Sequence, residues 1–319
     1  MPYSLLIGLG AGFVSAVVFA SATTGPMFTR LILFLLTPLA LFLAGLGVAP
    51  TTAIIAGITG TAVVWAAGSA PAAVVFAASQ AIPAGVLVYL ASLNRATAEG
   101  VEWYPAGRIV IAAALLAGLF SVLTLFLLGA DVDQLRATLH GMLEQFINTE
   151  LPKMPDAPVL GPQEIDEATS VALGLLPAAS GISTMGSLLF NMWLAGRITL
   201  ASGRLHRPWP DLAAITYPIG TPLLFAVATG AGLVLSGMAG LIGSGFAGPL
   251  FLAYVLLGLA VVHYITRDRP WRPFALWGLY LLLFIVNTLA SLALALLGLT
   301  DAVWPLRKSP ASGGAPPRS

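Results

Sequence analysis

Apolar residues in this chain run in long blocks instead of alternating with polar ones. A helix rises about 1.5 Å per residue, so about 20 apolar residues cross the hydrocarbon of a bilayer. Nine blocks reach or approach that length: Tyr3–Ala22, Leu31–Val48, Thr51–Ala67, Ala70–Leu93, Ile109–Gly129, Ala168–Gly196, Ala213–Leu235, Ser244–Ile265 and Phe274–Leu299. The pattern predicts an all-α, polytopic transmembrane helical bundle of about nine spans, within a range of eight to ten. The third block is short and meets the fourth across Gly68-Ser69-Ala70-Pro71, which suits a tight hairpin or a partly re-entrant unit. The sixth and ninth are long enough to tilt or break, and Pro177 and Asn287 are the expected places.

One stretch breaks the block pattern. Between Asp131 and Leu151 the apolar residues Val132, Leu135, Leu139, Met142, Leu143, Phe146 and Ile147 recur every three or four positions. That spacing puts them on one face of a helix. Asp131 or Asp133 is suited to cap its start and Pro152 to stop it. The helix is expected to lie on the outer leaflet or across the mouth of the bundle. Pro152–Pro162 then reads as an extended tether, and Ser309–Ser319 as a disordered tail after a single membrane domain, residues 1–308.

Composition agrees with the blocks. Of 319 residues, 58% are hydrophobic and 8% charged, against about 25% charged in a soluble domain. Lipid, not water, must therefore face most of the surface. The net charge of +1 leaves no electrostatic attraction for nucleic acid. Without cysteine there are no disulfides or thiolate metal sites. Ala20-Ser21-Ala22 resembles a signal-peptidase site, but no basic segment precedes it and the apolar run is too long, so the first span is expected to be retained.

Charge placement predicts orientation. Arg95 and Arg108, then Arg197, Arg204 and Arg207, then Arg267, Arg269 and Arg272 mark three short loops. The connection from 130 to 167 instead holds eight of the thirteen acids and only two basic residues, Arg136 and Lys153. By the positive-inside rule the Arg loops and the N-terminus are cytoplasmic, in a bacterial inner membrane, and the acidic connection is outside. Arg307 and Lys308 then land outside if the ninth block crosses once. Either the block folds back around Asn287, or the late charges do not decide topology.

Catalytic chemistry is thin. None of the thirteen acids lies deep inside an apolar block, where coupled transporters usually keep one. His140, His206 and His263 are scattered, with no two at metal-ligand spacing. The GSGFAG run at 243–248 fits a dinucleotide fingerprint by letter, but no strand precedes it. No catalytic centre, metal site or cofactor is expected. The polar residues inside blocks are neutral, chiefly Gln80, Asn191 and Asn287. Buried amides commonly join helices; alternatively, Gln80 and Asn191 line a ligand cavity, with Pro83 and Pro177 freeing carbonyls nearby. Gly8, Gly12, Ala16 and Ala20 form a small-xxx-small row, a packing face for a helix of this chain or of another membrane subunit. Arg95, Arg197, Arg207, Asp211 and His263 are candidate contacts at the cytoplasmic end.

Several short motifs carry a family resemblance. They are Leu93-Asn94-Arg95, Leu176-Pro177, Asn191 with Leu194-Ala195, and Arg207-Pro208 with Pro210-Asp211. Further along come the run from Gly258 to His263, Gly298-Leu299-Thr300-Asp301 and Leu306-Arg307. In these the chain resembles the YybS-like bacterial multi-pass membrane proteins, a family of unknown function that is distantly similar to the S components of energy-coupling-factor transporters. Pro305 departs from the acidic residue the family tends to carry before the terminal Leu-Arg. The resemblance implies a helical bundle that binds a small molecule, contacts a partner through its first span and draws energy from a separate ATPase. The alternative is a non-transporting scaffold or partner subunit of a cell-envelope complex. An enzyme ranks third.

Overall fold

The computed structural model describes residues 2–98, 100–149, 151 and 160–307. Most of the tether and all of the tail named above lie outside them. The chain is an all-α polytopic bundle. Its helices are α1 (Pro2–Ser21), α2 (Met27–Leu36), α3 (Leu39–Gly47), α4 (Pro50–Ala67), α5 (Ala70–Phe76), α6 (Ile82–Ser92) and α7 (Ala106–Leu128). They continue with α8 (Val132–Thr149), α9 (Pro162–Ala201), α10 (Thr221–Val234), α11 (Gly237–Ile265), α12 (Arg272–Ile285) and α13 (Asn287–Val303). Among the described residues, seven segments are long and apolar enough to cross a membrane: α1, α2 with α3, α4, α5 with α6, α7, α9 and α11. The shorter apolar helices α10, α12 and α13 complete the bundle. Many large apolar side chains point outward, among them Phe284 at 86% exposed, as lipid-facing surface requires.

Breaks in the spans follow proline chemistry. Pro38 has no N–H, so the helix parts between α2 and α3 and leaves carbonyls without their usual partners. Side chains replace the missing donors. Asn191 Nδ2 and Ser187 Oγ donate to Leu35 O at 2.6 and 2.8 Å, and Ser15 Oγ donates to Thr37 O at 2.7 Å. Pro83 is absorbed differently: a π-helical turn, Ala77–Ala81, stands between α5 and α6. Pro177 stays inside α9, and its carbonyl accepts from Ser121 Oγ at 2.6 Å.

Small residues set the closest approaches. α7, α9 and α11 cross where a Cβ on Gly181 would meet Pro249 of α11 and one on Gly118 would meet Phe246. The row in α1 faces α4: a Cβ on Gly12 would run into the Ala56 carbonyl, and one on Gly8 would lie 2.7 Å from Ile55. Ala16 is buried and Ala20 exposed.

The amphipathic helix α8 forms as its spacing predicts. Asp131 caps it by accepting from Gln134 N at 2.8 Å. Leu135 and Leu139 are buried against Leu125 and Leu173, with Met238 and Ile242 alongside. It therefore lies across the ends of α7, α9 and α11. His140 and Arg136 reach Asp166 and Ser170 on the first turns of α9.

The ninth block divides at Val286, next to Asn287. α13 then runs antiparallel to α11, since Gly258 abuts Leu294 and Gly298 abuts Tyr254. Its last turn comes level with the middle of α11, which buries a carboxylate, Asp301, that lies outside every apolar block of the sequence. Asp301 and Arg307 pair with side chains only 5% and 7% exposed. Arg307 Nε donates to both carboxylate oxygens at 3.2 and 3.1 Å, and Nη1 donates to Ala213 O at 2.8 Å. The burial of Asp301 is not legible locally, because the residue stands two positions beyond the apolar block and nothing nearby shows that its helix turns inward.

Two outcomes are expected. Gly12→Leu should cost about 1–3 kcal/mol or more through overpacking, read as a lower melting temperature in detergent; an unchanged melt would remove the α1–α4 contact. Asp301→Asn should cost about 3–5 kcal/mol because it strands a buried guanidinium, whereas Asp301→Leu with Arg307→Met should recover most of that loss. Equal melts for the single and double variants would contradict a buried pair.

Candidate functional site

The chain between α9 and α10 cannot be helical. Gly203 ends α9 at φ +68°, with the amides of Arg204 and Leu205 folding back onto Thr199 O. Pro208, Pro210 and Pro218 then remove donors in quick succession. Asp211 caps a single 3₁₀ turn, Leu212–Ala214, by accepting from Ala213 N at 3.1 Å. From Ile215 the backbone passes beside α7, where Gly107 admits the Thr216 carbonyl. It then runs along α11, where Tyr217 donates to Ala253 O at 2.7 Å. α10 starts opposite Tyr254, whose hydroxyl donates to Thr221 Oγ1 at 3.1 Å. The block expected to be the seventh span is therefore part extended chain and part helix.

Because a helix is missing there, a cavity of about 1000 Å³ opens between the Arg-bearing halves of α7, α9 and α11, bounded by residues 205–215. Its walls are apolar, chiefly Leu189, Phe190, Met192, Trp193, Leu252 and Leu256. Its rim holds Arg207, Asp211, His263, Arg267, Arg272 and Tyr280. The cavity sits at the opposite end of α7, α9 and α11 from α8.

The rim is organised by a few polar contacts. Arg267 Nη2 holds Asp211 at 2.8 and 2.9 Å from its two oxygens, and that hydrogen bond keeps the Asp211 carboxyl below its ordinary range, so it is ionised at neutral pH. Arg207 Nη2 donates to Tyr104 O at 2.8 Å, and burial pushes its guanidinium downward, though a guanidinium keeps its proton in proteins. His263 Nε2 and the Tyr280 hydroxyl are 2.9 Å apart, which ties α12 to the last turn of α11. Arg272 is half-buried; its backbone N–H donates to Arg269 O at 3.1 Å, but its guanidinium has no hydrogen bond or ion pair among the described residues.

The sequence-derived candidates separate into groups. Arg207, Asp211 and His263 come together at this rim. Arg197 stacks over Trp209, 5.3 Å from its ring centre, and so supports the rim from behind. Arg95 lies apart on an exposed β-hairpin, β1 (Asn94–Thr97) and β2 (Gly100–Trp103), paired with Glu102 at 2.6 Å. Asn191 is fully buried at the α2–α3 break, and Gln80 is fully buried in the π turn. The acceptor oxygens of both amides lack a partner, and neither residue lines the cavity. Arg267, Arg272 and Tyr280 belong to the site without having been singled out individually. A second cavity of about 680 Å³ lies between α4 and α5–α6, lined by Ile54, Ile58, Trp65, Val86 and Tyr89 with no charged residue. Among the described residues no cluster of His, Asp and Glu is arranged to hold a metal.

Removing the donors at the α2–α3 break should show as lost stability. Ser187→Ala with Asn191→Ala leaves Leu35 O bare, at a cost of about 1–3 kcal/mol. A double variant melting with the wild type would contradict their holding the break.

Comparison with known proteins adds a family and no function. The model of a predicted membrane protein family, DUF2232, matches residues 13–302. No curated protein and no solved structure matches the chain. With nearly its whole length covered, the chain belongs to the DUF2232 family of predicted membrane proteins.

Proposed function

We propose that this protein binds a small molecule in the cavity at its Arg-bearing end, in the bacterial inner membrane with that end and the N-terminus cytoplasmic. One observation carries the reading: an apolar cavity of about 1000 Å³ whose polar groups gather on one rim. Ligand cavities are typically about 300–1,000 Å³, apolar, with a few converging polar groups. A close-packed interior would have favoured a pure scaffold. The positive-inside rule supports the orientation, since Arg95, Arg197, Arg207, Arg267 and Arg272 all lie toward this end.

The likeness to YybS-like proteins and to S components supports the same reading, because an S component binds its ligand within a helical bundle. A partner subunit would need a surface other than the Gly8, Gly12 and Ala16 row, which α4 occupies. Asn191 is assigned to the α2–α3 break instead of the ligand, and the site opens opposite α8, not beneath it.

Native mass spectrometry of the detergent-purified protein tests the reading. The wild type should carry a non-covalent adduct, and Leu256→Trp, which fills the cavity, should lose most of it while remaining folded. A wild type free of adducts, or an adduct undiminished in Leu256→Trp, would overturn the assignment.

A further inference from the structure

We infer, building on that reading, that the occupant is a membrane lipid with an anionic head, its phosphate on Arg207 and Arg272 and its chains along α9 and α11. Charge counting at the rim gives the first argument. Among the lining residues three guanidiniums, Arg207, Arg267 and Arg272, face one carboxylate, Asp211, and Arg267, on which the Asp268 charge also acts, already occupies both Asp211 oxygens. Arg207 has only the Tyr104 carbonyl, a neutral partner, and the Arg272 guanidinium has no hydrogen bond or ion pair among the described residues. Two partly buried cations without a counter-charge call for an anion, and a guanidinium fork matches phosphate geometry.

The walls give the second argument. A small inorganic anion would satisfy the rim and leave the apolar lining bare, whereas a plain hydrocarbon would fill the lining and leave the guanidiniums unpaired. An amphiphile does both. Access gives the third. Phe190 and Trp193 line the cavity and are 42% and 46% exposed, so it opens sideways onto the lipid-facing surface. Trp193, Trp209 and Tyr280 also line the cavity, and these are the residue types that favour headgroup depth. A bilayer lipid can enter there without leaving the membrane.

Delipidated protein in a neutral detergent, titrated with phosphatidylglycerol, phosphatidylcholine or inorganic phosphate and followed by native mass spectrometry and melting, tests this. Phosphatidylglycerol should give a one-to-one adduct and raise the melt by several degrees, with the other two giving less than a third of that shift. Arg207→Gln with Arg272→Gln should weaken phosphatidylglycerol about tenfold. Asp211→Asn should strengthen it, because Arg267 is released for the phosphate, and general loss of structure would not produce that direction. Should the double variant not fold, Arg272→Gln alone, at a position with no side-chain hydrogen bond or ion pair to lose, carries the test. Equal retention of phosphatidylcholine, equal protection by inorganic phosphate, or no loss in Arg272→Gln would overturn the anionic-lipid assignment and leave the cavity reading standing. No adduct with any amphiphile would overturn both.

Discussion

In hydrocarbon there is no water to take up a free carbonyl or amide, so each backbone polar group must find its partner inside the protein. The whole arrangement answers to that constraint. At Pro38 the freed carbonyls are met by Ser15, Ser187 and Asn191. At Pro83 the chain takes up a π turn. Around Pro208–Pro218, three prolines within eleven residues leave room only for the 3₁₀ turn Leu212–Ala214, and the segment is instead held by Tyr217, which donates to Ala253 O, and by Arg307, which donates to Ala213 O. The third solution leaves space behind it. An extended strand of chain fills less volume than a helix, and the room left beside α9 and α11 is the cavity.

The buried ion pair belongs to the same region. Arg307 bonds Asp301 and also the Ala213 carbonyl in the non-helical segment, so the end of the described chain is fastened to the wall of the site. Isolated, either charge would be costly at this depth; together, with a backbone acceptor for the remaining N–H, they are tolerated. The pair also shows why charge alone did not decide the topology of the last block: Arg307 is neutralised locally instead of standing in water on one side.

Block length and composition were enough to find the membrane class, seven of the nine expected spans and the break near Asn287, since each depends only on local hydrophobicity and on residues that cannot continue a helix. Three- and four-residue spacing was enough to find α8. The site was legible only in part. Arg207, Asp211 and His263 stood out as charged residues at span ends, but their convergence depends on how α9 and α11 pack. Arg272 and Tyr280 join them because α12 packs beside the last turn of α11. The part-extended segment from 211 to 234 was hidden because its apolar residues read as one continuous block, although Pro218 marked the place. Asp301 was hidden for a related reason: burial is set by where a helix goes, not by the letters around it.

A structure determined in nanodiscs prepared from an anionic lipid mixture tests the central claim most directly. The account requires elongated density between α9 and α11, opening past Phe190 and Trp193, with a compact head feature touching Arg207 and Arg272. A site closed by its own side chains, or holding only ordered water, would contradict it.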